Sequence, residues 1–510
     1  MRASRRQAAT AAVAMFGLGL GLVVPAVSAT AAPRSDDRLS SESKKIRKDI
    51  TPERLRSHLK EFKTAADRYG SRAAGTPGYD AGARYVEYKL REAGYKPKRQ
   101  YFDIQYEETL AEKLTINTGG SRDVPLHVMS YSPSTPEGGV TADLAAPTNP
   151  EGCDAAAYEG ADVTGKIALI SRGTCSFAAK SIAAKAAGAS AALVYNNAEG
   201  DLNGTLGAPG DSYTPTAGIT QSEGTALADA IKSGPVNATL DLRVLSEQRR
   251  TFNVIAETSG GDPDNVVMLG SHLDGVQNTQ AINDNGTGSS AVLETAIQMK
   301  KFKKLRNKVR FAFWGAEELG LVGSTHYVND LVENDPAQLD SIATYLNFDM
   351  LGSPNHIISA YDADESTYEA PEGVSVPAGS IETEQAFRKY FEATDQPVID
   401  SEFSGRSDYQ AFIENGVASG GLFSGADGTK TAEEQELFGG TTGVTYDPNY
   451  HSPGDNLANV SMKPFETHAD AIGHLTITLA RSTKSIDVPS GKAAKKERVN
   501  PQPPHGVKKR

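Results

Sequence analysis

Apolar residues recur at helical spacing at Leu55, Leu59 and Phe62 and again at Tyr85, Val86 and Leu90, which predicts two amphipathic helices between Thr51 and Tyr95. Gly75-Thr76-Pro77-Gly78 separates them. Beyond Asp103 the pattern changes to short β-like runs among Gly, Pro and Thr as far as about Val244, the texture of a separate module. Within it, 165–172 (GKIALISR) and 191–196 (AALVYN) read as buried strands, and 177–187 reads as an Ala-rich helix. From Phe252 onward strands and helices alternate, the pattern of a layered α/β domain. Residues 265–269, 309–314 and 343–348 read as buried strands. Residues 289–302 form the clearest intervening helix, with Val292, Leu293, Ala296 and Ile297 along its apolar stripe.

The ends of the chain follow neither pattern. Arg2, Arg5 and Arg6 precede an apolar run from Ala8 to Val27 and the small residues Ala29-Thr30-Ala31, which predicts a cleavable signal peptide over residues 1–31 and a secreted, extracellular protein. The strongly apolar part, 13–27, is shorter than the ~20 residues of a spanning helix, so no membrane anchoring is expected after cleavage. Residues 32–48 are polar, without apolar periodicity, and read as a flexible leader or short propeptide. Residues 485–510 read as a solvated basic tail containing Pro501, Pro503 and Pro504.

A chain of 510 residues has room for two or three domains. Its 52 Lys and Arg against 64 Asp and Glu give a net charge of -12, which argues against nucleic acid as a partner, because a phosphate-tracking surface needs clustered cations. Two cysteines exclude zinc ribbons and iron–sulfur clusters. In an oxidising compartment Cys153 and Cys175 read as a disulfide, with two free thiols as the alternative.

Four polar clusters stand where the strands of the second half end: Ser271-His272-Leu273-Asp274, Asn283-Asp284-Asn285-Gly286, Glu317-Glu318 and Asp349. In an open α/β sheet such groups converge in the crevice beyond the carboxyl ends of the strands. Several carboxylates there would repel one another unless divalent cations neutralised them. Tyr450-His451 offers a second imidazole. His272, Asp284, Glu318, Asp349 and His451 make a mixed nitrogen and oxygen set that suits zinc, and five donors fit two zinc ions sharing a carboxylate. Glu317 is then left for acid–base work, and Asp274 is placed to fix the tautomer of His272. Singly, each has a bland explanation: a satisfied histidine, a solvated Glu pair, a turn with a helix cap. Four clusters after successive strands, plus a late His, make the bland explanation improbable jointly. His326, His356, His468 and His474 lack this context and read as structural. No G-x-S-x-G elbow and no H-E-x-x-H helix occurs.

The motifs GSHLDGV (270–276), INDNGTGSSAVLE (282–294), FWGAEELGLVGS (313–324), YLNFDMLGSPN (345–355), GRSDYQAF (405–412) and NYHSPGDN (449–456) resemble those of the secreted di-zinc aminopeptidases, relatives of bacterial leucyl aminopeptidase and, more distantly, of glutamate carboxypeptidase. The resemblance covers 49–103 and 251–484. The inserted segment 104–250 contains a run similar to the protease-associated domain, over about 137–240, a module that shapes substrate access in that family and carries no catalytic residues. The resemblance implies a zinc-exopeptidase fold, a mixed twisted sheet flanked by helices with a smaller β-rich insertion. It implies metal ligands His272, Asp284 (bridging), Glu318, Asp349 and His451, with Glu317 as general base and Tyr450 as hydrogen-bond donor to the oxyanion. It places Arg406 and Phe423 at the substrate end of the pocket, although Arg406 has Asp408 nearby as a plain ion-pair partner. It also suggests an accessory calcium site at Asp49, Glu466 and Asp470, where the last two are equally an exposed i, i+4 pair. The implied activity is release of N-terminal residues, large and hydrophobic such as Leu or Phe, from peptides with free N-termini, by a monomer. A carboxypeptidase, a glutaminyl cyclase and a non-catalytic peptidase-like binding protein are the rivals. The single Arg406 in GRSDYQAF disfavours the first, which needs several cations for a terminal carboxylate.

Overall fold

The computed structural model describes residues 39–370 and 374–486. The signal peptide, residues 32–38 of the leader and nearly all of the basic tail lie outside the described residues. Among the described residues no helix is long and apolar enough to cross a membrane.

Three helices come first among the described residues: α1 (Ser41–Asp49), α2 (Pro52–Tyr69) and α3 (Pro77–Glu92). The last two are those expected from periodicity. Thr51 and Thr76 cap them, each hydroxyl accepting an N–H of the first turn, and each helix has Pro in its first turn, where a missing N–H costs nothing. The first helix corrects the flexible-leader expectation for its residues. Ser40 caps it, and Ile46, wholly buried, joins the main core together with Ile50. One apolar residue among Lys44, Lys45, Arg47 and Lys48 leaves no stripe in the sequence, yet it suffices to seat the helix. Ile486 is likewise buried in this core, which corrects the solvated-tail expectation for that residue.

A long two-stranded ribbon follows, β1 (Lys98–Ile116) and a later strand, β8 (Asn237–Glu257), paired antiparallel from Lys98 opposite Ile255 to Ile116 opposite Ala238. Between them lie β2 (Arg122–Val124), β3 (His127–Val128), β4 (Val140–Ala145), β5 (Ile167–Ser171), α4 (Phe177–Ala186), β6 (Ala191–Tyr195), β7 (Thr216–Ile219) and α5 (Gln221–Ser233). Strands β4 to β7 pair parallel in sequence order over their own core, which includes Leu144, Ile167, Leu169, Leu193 and Leu240. The module is thus strung on the ribbon, and no linker stands at residue 104 or 250. Cys153 and Cys175 form a disulfide within it, with Cα atoms 5.9 Å apart.

The remaining chain gives β9 (Asp262–His272), α6 (Gly288–Met299), β10 (Asn307–Trp314), α7 (Val322–Asn334), α8 (Pro336–Asp340), β11 (Ile342–Asp349), β12 (Ser359–Tyr361), α9 (Ser380–Ala393), β13 (Ile399–Ser401), α10 (Gln410–Glu414), β14 (Ser419–Phe423), α11 (Ala432–Phe438) and α12 (Met462–Arg481). Their strands take the order β13-β12-β14-β11-β9-β10-β8, with β14, β11, β9 and β10 mutually parallel at the centre and β8 antiparallel at the flank. Both faces are covered, which is why the central strands read as continuous apolar runs. One core joins α2, α3, α6 and α12 to the sheet through Leu59, Phe62, Val292, Phe311 and Leu475. The other packs Trp314, Tyr327, Tyr345 and Phe412 on the opposite face.

Candidate active site and metal centre

Because the central strands are parallel, their carboxyl ends fall on one edge. β9 ends on His272, whose neighbour in register is Trp314 at the end of β10, and β11 ends on Asp349, in register with Phe423 at the end of β14. The loop after β10 carries Glu317 and Glu318, and a tight turn at Ile282–Thr287, just before α6, carries Asp284. His451 comes in on a turn at φ 52°.

These side chains converge. His272 Nε2 lies 3.1 Å from Asp284 Oδ1, 3.3 Å from Asp349 Oδ1 and 3.9 Å from Glu317 Oε2. His451 Nε2 lies 3.2 Å from Asp284 Oδ2 and 3.1 Å from Glu318 Oε2. Each carboxylate oxygen of Asp284 therefore faces a different imidazole. His272 Nε2, Glu318 Oε1 and Asp349 Oδ1 are buried yet make no hydrogen bond. Ion-pair distance without hydrogen-bond alignment is what donor atoms aimed at a common centre produce, and the donor set is that of zinc.

The charges repeat the point. Burial opposes a charge on His272, but Asp349 and Glu317 outweigh it and raise its pKa well above the usual value. Burial likewise disfavours the His451 cation, and Glu318 and Asp284 lift it to about 10. Burial raises Glu317 well above the carboxylate range, with Glu318, Asp408 and Asp349 adding to it. A crevice with this excess of negative charge suits a divalent cation, which would reverse the local field and leave both imidazoles neutral.

The supporting contacts differ in detail from expectation. His272 Nδ1 donates to the backbone carbonyl of Asp274 at 3.2 Å, with that residue's carboxylate farther off at 3.8 Å. The carboxylate instead accepts the N–H groups of Glu317 and Glu318 at 3.1 and 3.3 Å, so Asp274 steers the glutamate loop more directly than the imidazole.

Two descriptions of known families match the chain: "Peptidase family M28" over residues 253–476 and "PA domain" over 140–227. Probable leucine aminopeptidase 2 of Aspergillus fumigatus is 43% identical over 419 residues, 82% of this chain and 80% of its own length. Leucine aminopeptidase 2 of Trichophyton rubrum is 44% identical over 79% of each chain. This chain belongs to peptidase family M28. Among solved structures, the aminopeptidase from Aneurinibacillus sp. strain AM-1 is 28% identical with a TM-score of 0.65 over 85% of this chain and 95% of its own. The zinc aminopeptidase BSAP from Bacillus subtilis is 26% identical with a TM-score of 0.62, covering 84% and 95%. The protein is accordingly a zinc-type metallo-aminopeptidase with an inserted PA domain.

Sequence reasoning missed the scaffold of this M28 site. Asp455, inside the NYHSPGDN motif, accepts the N–H groups of Ile282 (3.1 Å) and Asn283 (2.6 Å) on Oδ1 and of Asp284 (3.0 Å) on Oδ2. Ser407 donates to Asp349 Oδ2 at 2.6 Å and accepts from Asn347 Nδ2 at 2.8 Å. Asn347 Oδ1 in turn accepts the hydroxyl of Tyr345, and Tyr345 accepts the indole N–H of Trp314. A polar Asn in the otherwise apolar strand YLNFD was the one visible signal. The bland reading of Asn283 to Gly286 is partly right as well, since Asn285 Oδ1 accepts the Gly288 N–H at the start of α6.

Arg406 does not pair with Asp408. Its two terminal nitrogens meet Asp427 at 3.1 and 3.2 Å, and Nη2 also lies 3.4 Å from the hydroxyl of Tyr450, while Asp408 is buried beneath the site. Tyr450 stacks on His451, ring centroids 3.8 Å apart, and burial together with Asp284 and Glu318 raises its pKa, keeping the phenol protonated. The residues of the expected calcium site take other partners. Asp49 pairs with Lys301 at 2.8 Å and Asp470 with Arg47 at 3.3 Å, and no metal-competent group among the described residues contains them or Glu466.

Proposed function

We propose that this aminopeptidase is secreted and removes large hydrophobic residues such as Leu or Phe from free peptide N-termini, with two zinc ions held by His272, Asp284, Glu318, Asp349 and His451. The observation that carries the reading is Asp284. Its two oxygens face opposite imidazoles, which divides the donors into His272 with Asp349 on one side and His451 with Glu318 on the other, sharing one carboxylate. When bound, zinc supplies Lewis acidity and lowers the pKa of a water toward roughly 7. Glu317, beside His272 and raised in pKa by burial, takes the proton from the attacking water and returns it to the departing amine. Tyr450, accepting from Arg406, directs its own proton toward the carbonyl oxygen as that oxygen becomes negative. The substrate's ammonium group sits against the acidic side chains, which sets cleavage at the first residue. The names of the fungal relatives and the place of Phe423 beside Asp349 support a hydrophobic first residue.

The test is Glu317→Gln assayed on a Leu-peptide with free and N-acetylated termini, with zinc content measured alongside. Two zinc ions per chain, cleavage of the free terminus only, and a kcat lower by at least ~10^2 are expected. Near-normal turnover in the variant would remove Glu317 from the chemistry, and equal cleavage of the acetylated peptide would favour a different hydrolase.

A further inference from the structure

The ribbon that carries the PA domain also runs beneath the loop that carries Glu317 and Glu318. Asn253 of β8 is wholly buried there, in register with Gln100 of β1. Its Oδ1 accepts the Gly315 N–H at 3.1 Å, and its Nδ2 donates to the Gly323 carbonyl at 2.8 Å and to Gln100 Oε1 at 3.1 Å. Gly315 opens the glutamate loop after β10, and Gly323 stands in the first turn of α7, into which the loop runs. The loop is closed on itself by Val322 N–H to Ala316 O (3.0 Å) and by Gly320 and Leu321 N–H to Glu317 O (2.8 Å each). Ala316, next to Glu317, sits in a small apolar cluster with Phe102 and Ile104 of β1 and with Ala74. A Cβ on Gly323 would lie 2.4 Å from Asn253 Oδ1 and 2.2 Å from the Gly315 carbonyl, so the fit leaves no slack. The ribbon also touches the loop after His272, where Gln277 Nε2 donates to the Glu107 carbonyl.

We infer that Asn253 is a positioning residue for the general base: one primary amide ties the start of the glutamate loop and the helix turn that follows it to the ribbon, so that the strands bearing the PA domain set where Glu317 and Glu318 stand. The amide is matched to its task, because Gly315 needs an acceptor and Gly323 a donor. Aspartate keeps the first contact and sets an oxygen against the Gly323 carbonyl; leucine keeps the volume and loses both. The inference rests on Glu317 as general base, and the experiment separates the two.

Asn253→Ala, Asn253→Asp and Asn253→Leu are made in the full-length protein, alone and with Glu317→Gln, and assayed saturated with zinc. The expected result is a kcat for Asn253→Ala lower by about 10- to 100-fold with KM within about twofold, a smaller loss for Asn253→Asp, and little further loss, within about twofold, when Glu317 is already Gln. Zinc held by Asn253→Asp should also be surrendered to a chelator more readily, because Glu318 rides on the same loop. The same fold-loss in both backgrounds, with zinc retained as in the parent, would overturn the inference and make Asn253 an ordinary core amide. If Glu317→Gln alone turned over normally, the general-base reading would fail instead, and unchanged chelator competition would then sink the clasp too. Should Asn253→Ala not fold, Asn253→Asp carries the same comparison.

Discussion

Replacing Asp455 tests how the turn that bears Asp284 is held. Three successive N–H groups, of Ile282, Asn283 and Asp284, end on its two oxygens in a place closed to water, and Asp455 is only 3% exposed. Asp455→Ala strands all three donors at about 1–3 kcal/mol each; water entering the vacated space recovers part, leaving about 3–6 kcal/mol. Asp455→Asn is gentler. Its carbonyl oxygen can still serve Ile282 and Asn283, but its amide nitrogen meets the Asp284 N–H donor to donor, a loss of about 1–3 kcal/mol. At about 2 °C or more per kcal/mol in a domain of this size, Asp455→Ala should lower the midpoint of thermal unfolding by at least about 6 °C and Asp455→Asn by about half that or less. Since Asp284 hangs from this turn, zinc affinity measured by chelator competition should fall about 10- to 100-fold in the alanine variant. Equal midpoints for the two variants, or an alanine variant that unfolds and binds zinc like the parent, would refute the claim that Asp455 holds the turn.

Ser407→Ala removes the donor to Asp349 and the acceptor for Asn347, and should weaken zinc binding or turnover by about 10- to 100-fold with KM little changed; an unaltered zinc titration would count against it. Burial holds His468 down to about 4, while an unfolded imidazole titrates near 6.5, so the unfolded chain binds more protons between those values. The stability from this residue is complete above pH 6.5 and is lost as pH falls toward 4, on the order of 3 kcal/mol. His468→Asn should therefore flatten the acid limb of urea midpoint against pH, and an unchanged limb would contradict the sign. Breaking the disulfide by Cys153→Ser with Cys175→Ser should cost the PA domain about 3 kcal/mol and leave hydrolysis of a dipeptide-sized substrate within about twofold; a collapse of that activity would mean the bond acts beyond its own module.

The convergence of the proposed ligands was legible because their chemistry demands particular residue types directly after strands, and the strands announce themselves by apolar runs. What holds the ligands was not. Asn253 meets Gly315 and Gly323 only through the register of β8 on β10, and Ser407 meets Asp349 across two elements, so nothing local marks either residue. Asp274 was expected to reach His272 through its carboxylate, but at two residues' distance its backbone carbonyl lies nearer the imidazole, at 3.2 Å against 3.8 Å. For Arg406 the neighbour in sequence, Asp408, turns inward while Asp427 arrives on another loop. α1 escaped because a single buried Ile46 among cationic residues has no periodicity to detect.

The ribbon also orders events during synthesis. Entry to and exit from the PA domain are tied side by side, Asn117 N–H to Asn237 O at 2.8 Å and the two side chains at 2.9 Å, and all five proposed metal ligands lie later in the chain. The inserted domain can thus fold before β10 to β14 have left the ribosome, sparing β1 and β8 most of the entropy of a long loop closure. It then hands β8 to the growing sheet as a template whose alignment is already chosen. A slip of one residue in that strand would turn the Asn253 side chain to the opposite face, so a fault at the far end of the ribbon would be inherited by the catalytic loop as a folding error.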